Sequence, residues 1–178
     1  MTVRELYLVS GFYLVECVLV AFLTRATLHR IVGALAGAAA LGLVGMGLMV
    51  LCEKIGWWRV PIVWEPYFLT LFYLSFLISC TPVCLILWRV VRRFGSRGLA
   101  LFLVAVAVIG PPRDYFIVAK FPAWMVFAPG IAPILADAAT YVIMVAVGYA
   151  VMRHVAGADQ GAPLARRPWD PRLSHLDG

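Results

Sequence analysis

Arg113 and Asp114 stand side by side behind two prolines, in the stretch VAVIGPPRDYFIVAK. From Gly98 to Met152 the only other charged residues are Lys120 and Asp137. A guanidinium beside carboxylates has the makings of a site that grips a phosphate or carboxylate bidentately and works on it with an acid or base. The segment CEKIGWWRVPIVWEP adds Glu53, Arg59 and Glu65. One constellation follows: Asp114 and Asp137 as acid or base, Arg113 as anchor, Glu53 and Glu65 beside them, walls of Trp64, Tyr115 and Trp124, and Glu16 deeper. Plainer explanations cover the same residues. A loop with a local ion pair accounts for Arg113 and Asp114, and an acidic residue near a helix start is stabilised by the helix dipole. Thr140 and Tyr141 lie three and four residues beyond Asp137, on its face, where they can donate hydrogen bonds to it.

Other chemistries find little support. There is no HExxH, the glycines are not followed by GK[ST], and no serine or cysteine has a histidine placed to activate it. His29, His154 and His175 all lie outside the long apolar runs, which argues against haem or a histidine-bound metal within them. Cys17, Cys52, Cys80 and Cys84 lack CxxC spacing and read as small apolar side chains. No cofactor and no metal are expected.

The elements that carry these residues are apolar. The 178-residue chain is 63% hydrophobic and 13% charged, with a mean hydropathy of +0.93, outside the range of soluble domains. About 20 apolar residues cross a hydrocarbon layer, and the chain offers five such runs. They are Leu6 to Thr24, Ile31 to Leu51, Pro66 to Trp88, a fourth from Gly98, and Pro133 to Met152. The fourth is apolar only to Gly110, so Pro111 and Pro112 are expected to break or kink it. It either continues to about Val118 or stops there, leaving 115–130 as a hairpin dipping into the interface. In the second run, Gly33 and Gly37 form GxxxG, as do Ala38 and Gly42 in small-residue form, marking a close packing face. That face suits a neighbouring helix, a second copy of the chain or a partner protein. Ser75 and Ser79 are expected to bond back to their own helix or across to a neighbour.

Glu16 lies near the middle of the first run, roughly 15 Å deep at 1.5 Å per residue. A carboxyl there costs on the order of 3 kcal/mol, so it should face the bundle, carry a proton or meet a partner.

Arginine bias sets the orientation. Arg25, Arg30, Arg89, Arg92, Arg93, Arg97, Arg153, Arg166, Arg167 and Arg172 fall after odd-numbered runs, against Arg4, Lys54, Arg59, Arg113 and Lys120 on the other side. The expectation is an all-α polytopic protein of five transmembrane helices, amino terminus outside and carboxyl terminus in the cytoplasm. Residues 1–153 form the membrane domain and 154–178 a short disordered tail. Thirteen of the 15 basic residues are arginine and asparagine is absent, a composition that points to a GC-rich bacterium and hence to its inner membrane. The net charge of +6 sits at segment ends rather than along one face, so nucleic acid is not an expected partner. Three roles remain: a non-enzymatic membrane subunit or assembly factor, a cofactor-free enzyme acting on a lipid or isoprenoid at the outer leaflet, and a proton-coupled transporter using Glu16. Small size, a glycine-rich packing face and the lack of a nucleophile favour the first.

Overall fold

The computed structural model describes residues 3–60, 66–122 and 124–165. It is 83% helical, as an apolar chain that must satisfy its own backbone requires. Four helices are long and apolar enough to cross a membrane: α1 (Val3–Thr24), α2 (Leu28–Ile55), α3 (Pro66–Lys120) and α4 (Ile131–Ala156). Two-residue strands β1 (Trp58–Arg59) and β2 (Val126–Phe127) pair antiparallel, Trp58 opposite Phe127 and Arg59 opposite Val126.

The helix count is four rather than five because the third and fourth apolar runs are joined through a single non-helical residue. Gly95 adopts φ 61° and ψ −145°, a backbone region open essentially to glycine alone. There α3 doubles back. In an unbroken helix Val90 and Gly98 would be separated by about 12 Å of rise, yet a Cβ on Gly98 would lie 3.0 Å from the Val90 carbonyl oxygen. Leu99, Phe102 and Val106 of the second arm pack on the same core as Leu77, Cys80 and Val83 of the first.

Of the two courses open to the fourth run, the helix continues through Pro111 and Pro112 rather than stopping at Gly110. Both prolines lie inside α3, which continues to Lys120, so 115–130 is a helix end, a loop and β2 rather than a hairpin. Each proline removes one intrahelical bond, but tertiary packing compensates. Pro111 is buried, and Gly110 lets the Tyr141 ring lie where any Cβ would overlap it.

The core sits between α2, the first arm of α3 and α4, with Leu85, Leu87, Trp88 and Met152 fully enclosed. The small-residue face of α2 is spent on α4. A Cβ on Gly33 would come within 2.5 Å of the Ala156 Cβ, and one on Gly37 within 2.5 Å of the Gly148 carbonyl oxygen. The close approach expected from GxxxG is present, but it is internal to the chain. That occupies the surface through which the sequence suggested a second copy or a partner would bind. α1 touches this core only through Val20 and Ala21 near its end and leans on α3, through Ser10–Ser75 (2.5 Å) and Tyr7–Tyr67 (2.8 Å) hydroxyl pairs. Ser75 and Ser79 also donate to the carbonyls of Leu71 and Phe76, as expected of hydroxyls in apolar surroundings.

The two ends of the bundle differ. One carries the β1–β2 pair, with the Ala128 amide donating to the Trp57 carbonyl (2.9 Å). At the other, residues 157–165 do not form the start of a free tail. They fold back as a strap across the α1–α2 turn and the α3 bend. The Ala165 amide donates to the Arg25 carbonyl (2.8 Å), Ala162 is buried in the core cluster and Leu164 packs on it. Residues 166–178 lie outside the described part of the chain.

Candidate functional site

At the β1–β2 end, helix geometry brings α3 and α4 together around Arg113. Its Nε and Nη2 donate to Asp114 Oδ1 at 2.9 and 2.7 Å, and Nη2 also reaches the Tyr141 hydroxyl. Tyr141 in turn donates to Asp114 Oδ2 at 2.6 Å. The Arg113 guanidinium lies 5.4 Å from the Tyr141 ring centroid, in cation–π range. Both oxygens of Asp114 are thus engaged. The pair is half in the open: the Arg113 side chain is 57% exposed, that of Asp114 23%.

Asp137 lies one turn before Tyr141 on α4, and only 5% of it is exposed. It is near enough to Asp114 and Arg113 for their charges to act on it, and its own charge reaches Tyr115 and Cys52. Its Oδ2 has no hydrogen-bond partner among the described residues, nor has the buried Tyr115 hydroxyl. Thr140 does not serve it, because Thr140 Oγ1 donates to the Ala136 carbonyl (2.8 Å). Above this pair lies an aromatic layer: Tyr115 stacks on Phe127 (4.1 Å, 7°), and Phe127 meets Trp58 edge-on (5.9 Å, 89°).

The structure therefore assembles Arg113, Asp114, Asp137 and Tyr115, and adds Tyr141. The spacing from Asp137 pointed to Tyr141, but with the wrong acceptor. Other expected members are engaged elsewhere. Glu53 Oε1 accepts from the Val60 amide (3.3 Å) and borders an open depression with Trp58, Arg59 and Phe127. Trp124 stacks on Phe121 (4.8 Å). Trp64 and Glu65 lie outside the described residues. Glu16 is half-buried on α1, and among the described residues nothing hydrogen-bonds or ion-pairs with it.

A second polar cluster, at the strap end, carries no signal in residue spacing. Arg30, 4% exposed, donates to Asp159 Oδ1 (3.2 Å), to the Gly157 carbonyl (3.1 Å) and to the Ala158 carbonyl. Tyr149 donates to Asp159 Oδ2 at 2.5 Å, and the Arg30 guanidinium lies 5.4 Å from the Trp88 ring centroid. Arg25 Nε donates to the Ala165 carbonyl and Arg92 Nε to the Ala162 carbonyl, each at 3.0 Å. Asp159 escaped the sequence reading because its segment, GADQGAPLA, has no helical period and the composition of a tail.

Among the described residues no three His, Cys, Asp or Glu side chains gather as metal ligands. Comparison with protein-family models, with curated proteins and with solved structures finds no match to this chain. Chemically, the Asp137–Tyr115 pair can hold a proton or a water, Asp114 is already saturated, and Arg113 keeps one amino group for an outside anion.

Proposed function

We propose that this is a bacterial inner-membrane protein with five crossings, amino terminus outside, that serves as a non-enzymatic subunit or assembly factor and joins its partner through α1. Each arm of α3 is long enough to cross a hydrocarbon layer at about 1.5 Å per residue, which supports five crossings from four helices. The arginines Arg25, Arg30, Arg89, Arg92, Arg93, Arg97 and Arg153 belong to the strap end, which supports a cytoplasmic carboxyl terminus.

The observation that carries the role is Glu16. It lies near the middle of the least enclosed helix, with 6% of the α1 span buried against 33% for α2. No group of its own chain among the described residues offsets the roughly 3 kcal/mol that a carboxyl costs at that depth. A donor from a neighbouring helix in a partner would do so. The enzyme reading has weaker support, because Asp114 is spent on Arg113 and Tyr141 and Trp124 is stacked on Phe121.

A photo-crosslinking residue placed at Val15 or Leu19, on the exposed face of α1 beside Glu16, tests this. The expected product is a protein adduct of discrete mass that disappears when Glu16→Leu is added, while the same probe at Val104 on α3 captures only lipid. Lipid adducts alone at all three positions would remove the reading.

A further inference from the structure

The strap end holds more positive charge than its contacts consume. Arg89 lies within electrostatic reach of Arg92, Arg25 and Arg93. Asp159 is the one carboxylate at this end among the described residues, and both its oxygens are taken by Arg30 and Tyr149. Glu5, Glu16, Glu53, Asp114 and Asp137 lie on α1 or toward the opposite end. Four guanidiniums thus crowd together without a counter-charge among the described residues, an arrangement that repels itself until an anion enters.

Two of the four are also built into place. The strap carbonyls of Ala165 and Ala162 fix Arg25 and Arg92 through Nε, and the amino groups of both have no protein partner among the described residues. Arg25 takes a left-handed backbone, φ 55°, rare for a residue with a side chain, and the Ala165 amide ties down its carbonyl. A guanidinium anchored through Nε keeps its planar amino edge for two-pronged binding of a phosphate. The apolar surroundings fit a lipid rather than a soluble anion. Phe22, Leu23, Phe94 and Leu101 are all more than half exposed and flank the arginines along α1 and α3, and Arg93 lies over the Phe94 ring at 5.2 Å. Acyl chains would run along these side chains, with the phosphate at the level of the guanidiniums.

We propose that Arg25, Arg89, Arg92 and Arg93 form a binding site for the phosphate of an anionic phospholipid, organised by the 157–165 strap. This requires only that the bundle sit in a bilayer, so it stands or falls separately from a partner at α1.

Native mass spectrometry of the full chain released from nanodiscs of mixed phosphatidylcholine and phosphatidylglycerol reads it directly. The expected result is retained phosphatidylglycerol at least tenfold over its share of the bilayer. Retention should fall to that share in Arg89→Gln and Arg92→Gln, fall partly in Arg89→Lys, and be unchanged in Arg59→Gln at the opposite end. Asp159→Asn, which loosens the strap while keeping all four arginines, should also weaken retention. Circular dichroism on each variant separates lost folding from lost binding, and Arg89→Gln carries the test alone because Arg89 bonds to nothing among the described residues. Retention unaffected by Arg89→Gln, or reduced equally by Arg97→Gln, would overturn the proposal in favour of unspecific charge attraction. Pyrophosphate that raises the melting temperature as much as phosphatidylglycerol does, and displaces it, would overturn the lipid as the ligand.

Discussion

Arg30 and Arg113 each hold an aspartate, but in unlike surroundings. The Arg30–Asp159 side chains are 5% and 4% exposed, whereas the Arg113–Asp114 pair stands partly in the open. Removing one member of a buried pair strands the other without solvent, a loss of about 3–5 kcal/mol, while an exposed pair contributes about 1 kcal/mol or less. Arg30→Ala should therefore abolish or severely weaken folding, and Asp114→Asn should shift the midpoint only slightly, both read by thermal unfolding in detergent. A comparable loss in the two would mean that the Arg113 pair is enclosed by something more than this chain. The two pairs also differ in how far they could be read in advance. Adjacency announces Arg113 and Asp114, but nothing in the spacing joins Arg30 to a residue 129 positions later. Only the packing of Ala162 and Leu164 against the core brings Asp159 inside.

The helices follow from composition, since long apolar runs have to satisfy their own backbone, and each of the five runs lies in a helix. Their boundaries were harder. The arginine-rich stretch from Arg89 to Arg97 marked a turn, yet its shrinkage to one glycine was not legible, because RRFGSRG contains good helix formers on both sides. At Pro111 and Pro112 the sequence leaves both a continuing and a terminated helix open, and packing decides: proline's cost is local, and Gly110 against Tyr141 offsets it from another helix. Gly33 and Gly37 signalled a close approach without naming the helix that would make it. The hairpin is directly measurable. Spin labels at Tyr67 and Lys120, which bound 54 residues of α3, would stand about 80 Å apart in a straight helix. Electron–electron distance measurements should instead give a short separation, since both positions belong to the β1–β2 end. A distance near the straight-helix length would mean that Gly95 does not reverse the chain.

At the scale of the whole molecule, charge and aromatic residues divide the bundle into a basic end and an end rich in tryptophan. On the proposed orientation, a reporter active only in the cytoplasm should work when fused after Gly178 and stay silent in the loop beside Trp58. The reverse pattern would invert the protein in its membrane. The strap closes this basic end by joining positions 140 residues apart, Arg25 and Ala165. That separation has a meaning in time. A ribosome adding about 5–20 residues per second delivers Ala165 some 7–28 s after Arg25, so the α1–α2 pair waits with Arg30 unanswered until Asp159 has been made. A chain that stops before Asp159 keeps that cation without the carboxylate that holds it.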